Sequence, residues 1–169
     1  MRTTEGSRPA EASAEFVTFF EEVEPRLRLA LVARFGEQDG REATLDALAY
    51  AWEHWDRLKS TDNPAGYLYR AAARAGSRSR RSRARTAVLP PAASSGPREQ
   101  GDFEPRLPEA LASLSANQRT AVVLVHGWHY SLTEAAATLG MSLSTLRTHL
   151  GRGLSRLRDY LEVPDDQAD

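Results

Sequence analysis

Apolar residues in the last third of the chain fall on two helical stripes divided by a single glycine. Leu132, Ala135, Ala136 and Leu139 stand at the i, i+3, i+4, i+7 positions of one helix face. Ser131, with Glu134 three residues later, can close a capping box over the orphan amides at that helix's start. Gly140 offers the left-handed residue that ends it. Ser142 can cap a second helix whose stripe, Leu143, Leu146, Leu150, Leu154, Leu157 and Leu161, repeats by threes and fours. Two capped helices around so short a turn predict a helix-turn-helix. Upstream, Ser115 can cap a helix carrying Val122, Val123 and Val125, which Gly127 breaks. With the stretch from Leu107 to Leu114 it would support the helix pair in a small bundle.

The first half shows helical spacing again and no alternating strand pattern. One helix carries Phe16, Phe19, Phe20 and Val23. Pro25 is costly inside a helix but suits a first turn, so a second helix is expected to start there with Leu27, Leu29, Leu31 and Phe35. Gly36 to Gly40 read as a turn, followed by a helix whose Leu45, Leu48, Trp52 and Trp55 form a core-facing seam closing near Leu58. Asn63 then caps, and Pro64 opens, a fourth helix. Residues 86 to 106 are rich in Pro, Gly, Ala and Ser without a sustained apolar period, the composition of a flexible linker. The expected fold is all-α: two small helical domains joined by that linker, the C-terminal one containing the helix-turn-helix. The boundaries read 1–12 for a disordered N-terminus, 13–85, 86–106 for the linker, 107–162, and 163–169 for an acidic tail.

The polar positions give these helices a candidate chemistry. Opposite the last leucine stripe lie Ser144, Thr145, Thr148, Arg152, Ser155 and Arg156, with Arg147 and His149 at the margins. Small hydroxyl residues at a helix start followed by arginines suit a major groove, where N-terminal side chains meet base edges and longer cations meet phosphate. The plain alternative is a solvated face on a helical hairpin. In the fourth helix Arg70, Arg74, Arg78, Arg81 and Arg85 recur at intervals of four, four, three and four, which aligns them on one side. Such a stripe repels itself unless a polyanion, such as a phosphate backbone, neutralises it. Tyr67 and Tyr69 at the start of the same helix can stack on unpaired bases, although Tyr67 can equally pack in the core with Leu68 and Ala71.

Overall composition hides this pattern. With 22 Lys and Arg against 23 Asp and Glu the formal net charge is only −1. Yet residues 70 to 85 hold seven arginines and no acid, residues 142 to 158 hold four and no acid, and the charges from Asp159 onward are all acidic. An electrostatic footprint on nucleic acid depends on local cationic surface, and two such surfaces are present. The chain has no cysteine, and of its four histidines only His126 and His129 lie close together, with no acid spaced to complete a metal site. No metal and no cofactor are expected. The first residues lack the apolar core of a signal peptide and no stretch reads as a membrane span, so a soluble cytoplasmic protein is expected.

From about Phe16 to Leu161 the chain resembles an extracytoplasmic-function sigma factor of the bacterial sigma-70 family. LPEALASLSANQRTAVVLV followed by SLTEAAATLGMSLSTLRTHLGRGLSRLR looks like the family's fourth region, which reads the minus-thirty-five element. VEPRLRLALVARF, ATLDALAYAWEHW and NPAGYLYRAAAR look like the second region, which binds the polymerase clamp and opens the minus-ten element. The resemblance implies a non-enzymatic initiation factor with promoter DNA and core RNA polymerase as partners, and allows an inhibitory anti-sigma factor. It implies minus-thirty-five contacts from Ser144, Thr145, Arg147, Thr148, His149, Arg152 and Arg156. It implies minus-ten contacts from Tyr67, Tyr69, Arg70, Arg74, Arg78 and Arg81, and polymerase contacts from Glu42, Leu45 and Asp46. The loop from Lys59 to Asn63 corresponds to the segment that holds a flipped base.

This chain departs from the family pattern at several places. His149 stands where arginine is usual, and Gly151 where a larger side chain is common. Gly151 and Gly153 should each weaken their helix by roughly 1 kcal/mol relative to alanine. A glutamine usual near Leu45 is lost, while Arg74 and Arg78 replace a frequent asparagine and a frequent aspartate. One rival reading is therefore a sigma-derived DNA-binding regulator that does not engage polymerase. Another is an interaction protein whose exposed helices an anti-sigma partner holds. An enzyme is the most distant reading, because no nucleophile, base and orienting acid form a constellation, and His54 reads as a helix-surface residue.

Overall fold

The structure, a computed structural model, describes residues 8–86 and 105–162. Of the expected linker 86–106, residues 87–104 lie outside them, as do the first seven residues and the tail from 163, while Thr86 ends a helix and residues 105–106 form a turn; the linker's interior and the acidic tail are expectations about undescribed residues. Among the described residues the fold is all-helical, without strands. It runs α1 (Arg8–Phe35), α2 (Glu37–Glu53), α3 (Trp55–Leu58), α4 (Pro64–Thr86), α5 (Leu107–Ser113), α6 (Ala116–Val122), a π-helical turn (Val123–Gly127), α7 (Leu132–Leu139) and α8 (Leu143–Glu162).

Three local expectations are corrected. The disorder expected through residue 12 does not hold for residues 8–12, because α1 already begins at Arg8. Nor does a second helix start at Pro25, since α1 runs through it. An interior proline costs about 3 kcal/mol. The stripe Phe16, Phe19, Val23, Leu27, Ala30 and Leu31 crosses it without a phase break, however, and packs into one core. Pro25 and Glu21 are exposed, so the unpaired carbonyl lies on the solvent side. The turn at Gly36 to Gly40 shrinks to Gly36, whose φ of 92° is the left-handed reversal. Gly40 is instead inside α2, where a Cβ would stand 2.5 Å from the Val32 Cα, so glycine permits α1 and α2 to cross closely.

The helix-turn-helix forms as its sequence signals require. Ser131 and Glu134 close a reciprocal capping box on α7, and Gly140 ends it at φ 59°. The Thr145 amide donates to Ser142 Oγ at 3.1 Å, capping α8. Leu146 and Leu157 of the α8 stripe are buried, and Leu143, Leu150, Leu154 and Leu161 are half-buried. α6 supports α8 and carries a capping box of its own, Ser115 with Gln118.

The two groups of helices, α1 to α4 and α5 to α8, are not separate cores. Leu27, Leu31 and Leu68 belong to one apolar cluster with Leu124, Leu139 and Leu146, and among the described residues a smaller cluster around Leu114 and Leu157 adjoins it through Leu150. Each group is near the size at which a core suffices alone, and sharing one enlarges it.

Candidate nucleic-acid interface

On α8 the leucines turn inward and the opposite face stays in solvent. Ser144, Thr145, Arg147, Thr148, Arg152, Ser155 and Arg156 are exposed, and His149 is half-buried. At the N-terminus of α8, Ser142 Oγ lies 3.0 Å from Ser144 Oγ and 2.8 Å from Thr145 Oγ1. Thr148 Oγ1 donates to the Ser144 carbonyl at 3.0 Å. These hydroxyls satisfy one another in the absence of DNA and can exchange those bonds for base edges or phosphates. α8 is continuous across both glycines. Gly153 is buried against α6, whereas Gly151 faces open space.

α4 is one unbroken helix through Thr86, past Gly76 and the serines. Phe35 packs at the Gly76 position, where a Cβ would come within 2.8 Å of its ring, and this packing offsets glycine's poor helix propensity. Arg70, Arg74, Arg78 and Arg81 are all exposed, so the stripe exists as a surface. The two tyrosines part company. Tyr67 is 37% exposed, whereas Tyr69 is 3% exposed, with its hydroxyl buried and unpartnered. Tyr69 as a DNA-stacking residue is therefore corrected. Two residues along a helix turn the side chain by roughly 200°, and position 69 points with Ala72 and Ala73 into the core.

Tyr67 belongs to a polar aromatic group that the sequence reading missed. Its hydroxyl lies 3.5 Å from that of Tyr50, which accepts a hydrogen bond from Arg57 Nη2. The Tyr50 ring stacks on His54 at 4.2 Å, and His54 Nδ1 lies 3.0 Å from the Tyr50 carbonyl. The hydrogen bond with Tyr50 holds the Tyr67 phenol above its usual pKa. The spacing of Tyr50, His54 and Arg57, by four and then three, was the available signal.

α2 carries the third surface. Glu42 and Asp46 are exposed, and Leu45 is 69% exposed. The core-facing seam expected of Leu45, Leu48, Trp52 and Trp55 is half wrong: Leu48 is buried, Trp55 half-buried, and Trp52 is 55% exposed. The buried stripe of α2 is the small-residue series Gly40, Thr44, Ala47, Leu48 and Ala51. Small residues win this face because α1 and α4 pack closely on it, leaving Leu45 and Trp52 outward, seven residues apart on one side. An open groove of about 430 Å³ runs where α2 meets α4, with Glu42, Asp46 and Tyr50 on one wall and Tyr67, Ala71 and Arg78 on the other. No group of ligating side chains among the described residues could hold a metal ion, and no described helix is long and apolar enough to cross a membrane.

An all-helical chain with a capped helix-turn-helix and a second, arginine-lined helix has the make-up of a helix-turn-helix protein with two exposed basic helices. Comparison with known proteins narrows this. Residues 105–157 match the family model described as sigma-70, region 4. The chain is 34% identical over 133 residues to an RNA polymerase sigma-E factor of Streptomyces antibioticus, covering 75% of this chain and 73% of that one. With the sigma-E factor of Streptomyces coelicolor the identity is 32% over 133 residues, covering 75% and 74%. A 55-residue stretch, 32% of this chain and 21% of the relative, is 47% identical to the ECF RNA polymerase sigma factor SigE of Mycolicibacterium smegmatis. The fold is also that of the sigma factor RpoE of Bartonella quintana, solved in complex with the anti-sigma factor NepR, at a TM-score of 0.64 and 24% identity, covering 88% of this chain and 98% of that one. The chain belongs to the extracytoplasmic-function RNA polymerase sigma factors. Because the similarity over 133 residues extends well beyond the helix-turn-helix, it does not favour a detached regulator that kept only a DNA reader.

Proposed function

We propose that this sigma factor divides its work among the three surfaces: α8 reads the minus-thirty-five element, α4 holds a separated strand of the minus-ten element, and α2 seats the core polymerase. The observation that carries the reading is the sorting of α8. Its leucines are inward, while Ser144, Thr145, Arg147, Thr148, Arg152 and Arg156 are exposed on the outer face. The hydroxyls at the helix start meet base edges in the major groove, and the arginines meet phosphates beyond them. On α4, Arg74, Arg78 and Arg81 track the backbone of a single strand while Tyr67 offers a stacking ring. Glu42, Leu45 and Asp46 contact polymerase, with Trp52 extending their apolar area. No residue performs chemistry. Binding energy places polymerase and favours the melted promoter.

Co-elution with bacterial core RNA polymerase tests the reading, using the intact chain and a Glu42→Ala, Asp46→Ala double variant. Binding that weakens in the double variant supports it. If the intact chain fails to bind core where another sigma factor binds, the reading is wrong.

A further inference from the structure

Away from the helix faces assigned to DNA and polymerase above, arginines from three helices gather at the C-terminal end of α1. Arg119 of α6 donates through Nε to the Ala33 carbonyl and through Nη2 to the Arg34 carbonyl, both at 3.1 Å. Arg34 Nη1 donates to Asn117 Oδ1 at 2.7 Å, two residues before Arg119. The Arg34 guanidinium also lies 5.5 Å from the centroid of the Phe35 ring. α4 brings the third cation. Gly76 packs on that same Phe35 ring, and Arg80, about one turn further along the helix, pairs with Asp39 of α2 at 3.6 Å.

The charges at this junction do not balance. Three guanidiniums and the Asp39 carboxylate leave a net positive charge, and the C-terminal end of α1 offsets only about half a unit of it. Arg119 is half-buried, where water and salt screen repulsion less than at the surface. Burial first, and then the charges of Arg80 and Arg34, hold the Arg119 pKa below the usual arginine range. Arg34 Nε is buried without a hydrogen-bond partner, and a charge held in this way is costly unless an opposite charge accompanies it.

We propose that Arg34, Arg80 and Arg119 form a binding site for a small anion carrying a di- or triphosphate group. Guanidiniums are planar, permanently charged and able to grip phosphate oxygens in pairs. Arg80 is exposed and opens the site to solvent. The groove between α2 and α4 reaches the same place, with Phe35, Asp39 and Arg80 among its lining residues. Inorganic polyphosphate would use the arginines alone, whereas a nucleotide would also lay its base along the groove. The bound anion would touch three helices and stabilise the folded chain by mass action. Arg80 is not an arginine of the α4 stripe, so the site does not rest on the strand-binding role proposed for that helix.

Titration calorimetry of the intact chain with tripolyphosphate, at constant ionic strength, tests the site. The arginines of α8 also attract polyanions, so two variants separate the sources of binding. Arg80→Gln removes one cation of the cluster at an exposed position, and the double variant Arg147→Gln, Arg152→Gln removes two from α8. The expected result is saturable binding of one tripolyphosphate per chain, weakened roughly tenfold by Arg80→Gln and kept by the α8 variant. In a chain labelled with nitrogen-15 arginine, the Nε–H signals of Arg34 and Arg119 should shift during the same titration. ATP in place of tripolyphosphate distinguishes the two ligands: equal affinity supports a site for the phosphates alone, and much tighter ATP binding supports a nucleotide site. Absence of saturable binding overturns the proposal, and so does binding that the α8 variant loses and Arg80→Gln keeps. If Arg80→Gln weakens binding of a single-stranded DNA but not of tripolyphosphate, Arg80 serves the strand and the anion site falls, while the reading of α4 stands.

Discussion

Gly153 of α8 lies against Val122 of α6 so closely that a Cβ added to it would stand 2.9 Å from Val122 Cγ2. Two residues earlier, Gly151 has nothing within 4 Å of the same construction. The two glycines therefore have opposite meanings. Gly151→Ala should stabilise the chain by about 1 kcal/mol, the helix propensity gained at an exposed site. Gly153→Ala gains the same propensity but must push Val122, a buried residue, and interior overpacking costs about 1–3 kcal/mol. Its net change should be zero or destabilising. Urea unfolding of both variants checks this, and equal stabilisation by the two would refute close packing of α6 on α8.

Capping signals were the most legible part of the sequence. Ser115, Ser131 with Glu134, Gly140, and Asn63 with Pro64 each act locally, and each marks a helix end where expected. The α8 leucine stripe was legible because only one face of that helix is apolar. The reading failed where neighbours decide. In α2 the close approach of α1 selected glycine, threonine and alanine for the buried face and turned Leu45 and Trp52 outward. In α1, packing across a long stripe outweighed the cost of Pro25. The contact between Gly66 and Gly140 joins positions far apart in the chain, and nothing local at either one announces it.

Tyr67 and Tyr69 should separate binding from folding. Tyr67→Ala should weaken single-strand binding by about 1–3 kcal/mol, the range for loss of one base-stacking ring, while thermal stability changes little. Tyr69→Phe should leave DNA binding unchanged and leave stability equal or higher, because it deletes a buried hydroxyl that has no hydrogen-bond partner. Strand titration and thermal unfolding of both variants are the measurements. A large binding loss in Tyr69→Phe would contradict its burial.

Arg74 and Arg78 are exposed on the arginine stripe, so each should release counterions when it meets a phosphate. Replacing either with alanine should lower the slope of log single-strand affinity against log salt by about 0.7, and replacing both by about 1.4 if they act independently. Affinity for a single strand across a salt series gives the slope directly. A slope that stays put in the double variant would mean that α4 does not follow the backbone.

The capping box of α7 makes the reader motif sensitive to acid. Glu134 accepts hydrogen bonds from the Ser131 amide at 3.0 Å and from Ser131 Oγ at 2.7 Å. The Ser131 side-chain bond first, and then the backbone bond, hold the Glu134 carboxyl below its usual pKa of 4.5. A carboxyl depressed in the folded chain adds stability that is complete above its unfolded value. That stability is lost as the pH falls through the depressed folded value. The sign is therefore a loss of α7 stability on acidification, with no effect between neutral pH and pH 6. Glu134→Gln should remove that pH dependence and keep part of the cap, since an amide oxygen still accepts from the Ser131 amide. Ser131→Ala should cost about 1 kcal/mol at neutral pH, as loss of an N-cap does. Unfolding free energies between pH 3 and pH 7 for the three proteins decide this. An acid limb as steep in Glu134→Gln as in the unmodified chain would assign the pH sensitivity elsewhere.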